Sequence, residues 1–147
     1  MPASSSLQAM ASSLVVFDTS VLIDHLRTGR YAYQIESIDG LIRNSSVVLA
    51  ELWRGATTSQ EMKFLEAFAR NHPLLTPTEK NWLESGQILA KIYSRKRFGP
   101  NKLRDLHFDV LIALTARSHG ARLVTSNRAD FELISGYKKV ELEIWAP

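Results

Sequence analysis

Five polar positions stand against apolar runs in this 147-residue chain, and their types suit one kind of chemistry. Asp18 follows LVVF, Glu51 follows VVLA, Asp109 sits inside LHFDVLIAL, and Asn127 and Asp130 follow RLVTS. A carboxylate beside a core is costly unless it is paired, hydrogen-bonded or bound to metal. Carboxylates that converge repel one another and take up protons, and a divalent cation removes that repulsion. Mg²⁺ or Mn²⁺ suits oxygen ligands, and Mg²⁺ keeps several waters that can orient or activate a nucleophile. Sites of this kind serve phosphoryl chemistry, where the metal polarises the phosphodiester and stabilises developing charge. His25, His72, His107 and His119 share no metal-binding spacing, and the chain has no cysteine. Zinc of the HExxH type, thiolate zinc sites, disulfide scaffolds and Cys-nucleophile chemistry therefore lack support.

Each position also has an ordinary reading. Asp18 can cap a helix, and Glu51 can sit in a first turn favoured by the helix dipole. Asp109 can pair with an arginine such as Arg104. Asn127 can serve a turn, and Asp130 can cap the segment ADFELIS. One such acid is unremarkable. Several, on a fold that brings strand ends to one edge, are harder to dismiss.

The elements that must position these groups alternate between two periodicities. Leu14–Phe17 reads as a strand buried on both faces, with Thr19 or Ser20 capping a helix through VLIDHLR that Gly29 stops. Tyr31–Ile42 carries a loose helical pattern. Ser45–Val48 reads as a second strand running into the helical segment AELWRGA. Ser59–Arg70 is amphipathic at helical spacing, and Leu74–Leu75 suits a third strand. Thr78 caps a long helix to Arg97, with Trp82, Ile88, Leu89, Ile92 and Tyr93 as its apolar face and Gly99-Pro100 as its end. A second strong helix spans Asp105–His119 and is closed by Gly120. Arg122–Thr125 is a strand, ADFELIS a short helix, and Val140–Trp145 a last strand. The alternation predicts an α/β fold with a mostly parallel sheet.

The charge balance is 18 Lys+Arg against 15 Asp+Glu, a mild tilt towards polyanions. Its distribution says more: Lys91, Arg95, Lys96, Arg97, Lys102 and Arg104 follow one another with no acid between. A solvated helix end explains that run as well as a phosphate-tracking rim does. Trp53 suits packing or a dimer interface, and Asp24 a solvent-facing helix surface. Residues 1–13 hold five serines and no charge and read as a short disordered tail; 14–147 read as one domain. The tail lacks the basic and apolar regions of a signal peptide, and no apolar run approaches the ~18 residues of a membrane span. A cytoplasmic protein with no membrane role is the expectation.

The phrases VVFDTSVLID, SVVLAELWRGA, HFDVLIALTARSHGARLVTSN and NRADF occur in an order that resembles the PIN-domain nucleases. More narrowly, they resemble the VapC-type ribonuclease toxins of toxin–antitoxin pairs, from about Leu14 to Trp145. The resemblance implies a three-layer α/β/α sandwich with a four- to five-stranded mostly parallel sheet. It also implies Mg²⁺ or Mn²⁺ dependence, endonucleolytic cleavage of RNA and a block on translation until an antitoxin neutralises it. By that likeness Asp18, Glu51 and Asp109 are the metal ligands. Thr19 bonds a ligand water or orients Asp18. Asn127 and Asp130 complete the catalytic set, with Asn127 neutral where a fully acidic site has Asp. Arg95, Lys96, Arg97, Lys102 and Arg104 become candidates for RNA contact. The implied partners are the RNA, a VapB-like antitoxin, and a second copy in a homodimer or a larger toxin–antitoxin assembly; the N-terminal half, with Tyr31–Ile42 and Trp53, is our own expectation for the antitoxin's docking groove. The competing reading is a catalytically silent PIN-like module that acts with a DNA-binding partner. A phosphotransfer fold with a strand-end Asp is a third, but the dehalogenase type wants a second Asp where Ser20 stands.

Overall fold

The computed structural model describes residues 13–146, and its frame grows outward from LVVF. Leu14–Phe17 forms β1, with Val15, Val16 and Phe17 buried. Strand β2 (Leu41–Ser45) and strand β4 (Ala121–Thr125) pair with it in parallel, one on each side. Strands β3 (Leu74–Leu75) and β5 (Leu142–Ile144) add parallel edges, giving the order β3-β2-β1-β4-β5. A parallel strand flanked on both sides and covered on both faces reads as a continuous apolar run, which is what β1 is.

Parallel neighbours need crossover connections, and helices supply them. They are α1 (Thr19–Thr28), α2 (Ala32–Glu36), α3 (Ser46–Gly55), α4 (Ser59–Asn71), α5 (Glu79–Lys96), α6 (Pro100–Ser118) and α7 (Arg128–Ser135). The result is the expected α/β sandwich, with all five strands parallel. Helix α6 is its hub. Leu106 and the run Val110–Ala116 are buried on every side of it, and it meets β2, β4, α3, α5 and α7. A helix apolar all round belongs inside a domain. Each large side chain there, such as Ile112 or Leu114, contributes about 1.5–3 kcal/mol by its burial.

Several expectations shift. Ser45–Val48 is not a strand: Ser45 ends β2, and its Oγ accepts from the Val48 N–H to cap α3. The true second strand is LIRNS, so the supposed helix over Tyr31–Ile42 shrinks to Ala32–Glu36. Helix α1 starts from Asp18, not from Thr19 or Ser20, and the Asp18 side chain does not cap it. Helix α5 does start on Thr78, but it ends with Arg97 in the left-handed region; Gly99 and Pro100 instead open α6, five residues earlier than Asp105. Pro at a first helical position costs nothing, because its missing N–H has no partner there. Trp82 and Tyr93 are exposed rather than part of α5's buried face. The tail assigned to residues 1–13 lies, up to residue 12, outside the described residues.

Gly40, at φ +132°, makes the turn into β2 and admits no side chain. A Cβ there would come within 2.9 Å of both the Ser13 carbonyl oxygen and Val15 Cγ2. Gly40→Ala is therefore expected to lower the unfolding free energy by about 1–3 kcal/mol, measured by urea denaturation; an unchanged midpoint would show that the turn relaxes freely.

Candidate active site at the sheet's switch point

The strand order reverses direction between β1 and β4, and in such sheets ligands bind beyond the carboxyl ends of the strands at that crevice. Asp18 is there. Its backbone N–H donates to the Val124 carbonyl at 2.8 Å, which extends the β1–β4 pairing by one residue, and its side chain is 2% exposed. Oδ2 of Asp18 accepts from Ser20 Oγ at 2.7 Å and from Thr125 Oγ1 at 2.8 Å. Both hydroxyls are themselves oriented by backbone donors. The Ser126 N–H donates to Ser20 Oγ and the Asn127 N–H to Thr125 Oγ1. Oδ1 of Asp18 is buried with no hydrogen-bond partner among the described residues. Burial raises the carboxyl pKa, and the Ser20 and Thr125 hydroxyls only partly oppose it.

Glu51 lies in the second turn of α3, not at a strand end or in a first turn. Thr19 Oγ1 donates to its Oε1 at 2.9 Å. Burial raises its pKa, the Thr19 hydroxyl lowers it, and the Asp18 and Asp105 charges raise it again. Asp109 sits half-buried in α6, one end of a face that also carries Lys102 and Asp105 at helical spacing. Arg104 does not neutralise it, since that guanidinium bonds Asn101 Oδ1. Burial, then the charges of Asp18, Asp130 and Glu51, push the Asp109 carboxyl up to about 8, with Lys102 opposing them.

The loop after β4 completes the cluster. Asn127 is the cap of α7, its Oδ1 accepting from the Asp130 N–H at 3.3 Å, so Asp130 is not the cap. Asn127 Nδ2 donates to Asp130 Oδ2 at 3.0 Å, and Lys102 Nζ donates to both Asp130 oxygens at 2.8 Å. One of the predicted acids, Asp18, thus comes from the end of a strand and three, Glu51, Asp109 and Asp130, from helices. Asp18, Glu51 and Asp130 all lie within electrostatic reach of Asp109. Among the described residues, however, no three His, Asp or Glu side chains close around one point as a ready ligand set. Glu51 is held by Thr19, and Asp130 by Lys102.

Three groups here were not singled out from the sequence. Ser20 and Thr125 anchor Asp18, whereas Thr19 reaches Glu51 instead; the signal lay in hydroxyl residues at the very ends of LVVFDTS and RLVTS. Asp105 lies near Glu51, one turn before Asp109. The basic run divides. Lys102 belongs to the acid cluster, while Arg95, Lys96, Arg97 and Arg104 stay exposed, Arg95 and Arg97 lying over the rings of Tyr137 and Tyr93. Asp24 pairs with Arg30 on the surface. None of the four histidines bonds to the cluster: His107 meets Ser85, and His119 the Thr115 carbonyl. Trp53, at 40% exposed, is no part of this chain's core.

Comparison with known proteins agrees with this architecture. The PIN domain model matches residues 15–137, and the chain belongs to the PIN-domain family. Within that family it is similar to VapC proteins. The tRNA(fMet)-specific endonuclease VapC of Shigella flexneri is 34% identical over 99 residues, 64% of this chain and 70% of that protein. The DNA-bound VapBC structure from Salmonella typhimurium superposes at TM-score 0.66 with 26% identity, over 91% of this chain and 99% of that one. VapBC2 from Rickettsia felis, bound to a promoter DNA fragment, shares the fold at TM-score 0.66 and 24% identity, over 90% of this chain and 98% of that one. No helix among the described residues is long and apolar enough to cross a membrane.

The raised carboxyls fix the sign of a pH effect on the metal-free protein. Asp109 ionises near 3.8 when unfolded and near 8 when folded, so the folded state holds a proton that the unfolded state has released. Its contribution is fully present below about pH 4 and is lost as pH rises through 8. Asp18 and Glu51, also raised, act in the same direction. In EDTA, thermal stability should fall from pH 5 to pH 8. Asp109→Asn should raise Tm at pH 8 by about 5 °C and make that fall shallower. A variant that melts lower than wild type at pH 8 would contradict the electrostatic account.

Proposed function

We propose that this chain is a Mg²⁺- or Mn²⁺-dependent endoribonuclease, the toxin of a type II toxin–antitoxin module. It cleaves RNA phosphodiester bonds and stops translation until its antitoxin neutralises it. The observation that carries the reading is Asp18: a buried carboxylate at the switch point, with one oxygen fully anchored and the other left without a partner. An oxygen-only donor set whose carboxyl pKa values are raised by burial and, for Asp109 and Glu51, also by neighbouring carboxylates fits a hard divalent cation, and Asp18, Asp109 and Glu51 are the residues that would hold it. When bound, the ion neutralises charge that builds on the phosphodiester during attack by water.

The chain's own residues do the rest. Ser20 and Thr125 hold Asp18 in one orientation. Thr19 holds Glu51. Asn127 shapes the start of α7 and steadies Asp130, which Lys102 neutralises. The exposed cations Arg95, Lys96, Arg97 and Arg104 attract the RNA backbone before the site engages it. The Shigella flexneri relative is described as a tRNA-specific endonuclease, which supports RNA as the substrate class. The Salmonella typhimurium neighbour is a DNA-bound VapBC complex, which supports an antitoxin partner for this chain.

Cleavage of defined RNA and DNA oligonucleotides with Mg²⁺, Mn²⁺ or EDTA tests the reading. RNA should be cut with either metal and spared in EDTA. Asp18→Asn should lower the rate by at least about 100-fold while leaving the fold intact by circular dichroism. Clean wild-type protein that binds metal yet cuts neither polymer would shift the assignment to the catalytically silent binding module.

A further inference from the structure

The acid cluster is divided unequally. On the Asp18 side, a buried carboxylate oxygen has no hydrogen-bond partner among the described residues. On the Asp130 side, both carboxylate oxygens face an ammonium at 2.8 Å, and one also takes the Asn127 amide. The Asn127 carbonyl oxygen is spent on the Asp130 N–H, so Asn127 donates towards this side of the site rather than offering it a ligand. Lys102 is set for the task. It sits in the first turn of α6, two turns before Asp109 on the same face, half-buried with its ammonium 5.8 Å from the centre of the Phe98 ring.

Two-metal phosphodiester sites hold their ions about 3.5–4 Å apart and clamp the attacking and leaving oxygens between them. A second ion on Asp130 would have to displace the Lys102 ammonium or lie against it at a like-charge cost. We infer that Lys102 stands in for a second metal: the chain takes one divalent cation, on the Asp18 side, and neutralises the Asp130 side with its own ammonium. This rests on the metal-dependent reading above and goes beyond it by fixing the number of ions and the residue that limits it. An ammonium offers three donors and a point charge but has no open coordination position. Lys102 therefore screens and positions, and does not activate water.

Mn²⁺ titration of the full chain, followed by calorimetry and by the electron paramagnetic resonance signal of free Mn²⁺, tests the inference. Wild type should bind one Mn²⁺ per chain. Lys102→Met should bind two, and Lys102→Arg, which keeps the charge, should bind one. Asp130→Asn should still bind one, because Asp130 is no ligand of that ion, and it covers the case in which Lys102→Met fails to fold. Two Mn²⁺ on the wild type, one on folded Lys102→Met, or loss of Mn²⁺ in Asp130→Asn would each overturn the inference. If RNA is cut in a metal-dependent way while any of these occurs, the nuclease reading stands and only the role of Lys102 falls. If wild type binds no Mn²⁺ at all, both fall together.

Discussion

Burying one carboxylate at the end of the central strand is the constraint around which the rest of the structure is arranged. Asp18 leaves a strand that is apolar on both faces, and among the described residues it has no cationic partner there. Without compensation such a group would protonate or pull the strand end towards water. The compensation comes from residues far apart in the sequence, Ser20 in the first turn of α1 and Thr125 at the end of β4. It works only because β1 and β4 are paired so that Phe17 lies opposite Val124. A slip of one residue would send Thr125 to the other face of the sheet and leave Asp18 without half of its support. The register of the core and the state of the site are one problem.

The loop from Ser126 to Asp130 ties that anchor to the opposite side of the cluster. Its N–H groups orient the two hydroxyls on Asp18, and its next residues cap α7 and place Asp130. Helix α6 does the same for Asp109. The second half of α6, Val110–Ala116, is core, and it fixes the helix whose first half carries Lys102, Asp105 and Asp109. Groups that repel one another stay close only on elements whose burial outweighs the repulsion, and α6 buries Leu106, Val110, Leu111, Ile112 and Leu114.

The order of elements was legible because Leu14–Phe17, Ala121–Thr125 and the long helix before them are strongly apolar at their own periods. The second strand was not. VVLA is a short apolar run that fits a buried strand or a buried helix face equally well, and only the Ser45 cap decides between them. The strand itself, LIRNS, hides behind Arg43 and Asn44. Asn44 is buried there because its amide donates to the Phe68 and His72 carbonyls at the end of α4, a pairing across more than twenty residues that no local pattern shows. The acids were visible as charges set in apolar sequence. Their supporting hydroxyls were not, because Ser20 and Thr125 look like any cap or strand end until the two strands lie side by side.

The neutral residue at position 127 then has a physical explanation. A fifth charge would enter a cluster where Asp109 is already pushed to about 8 and Asp18 and Glu51 are also raised, and it would ionise poorly. An aspartate there would still cap α7, but it would face Asp130 with an oxygen instead of an N–H. Asparagine performs both tasks at once, accepting from the Asp130 backbone and donating to the Asp130 side chain. With Lys102 on the same carboxylate, that side of the site is neutralised by the chain itself, and the demand for an external cation is concentrated on the buried oxygen of Asp18.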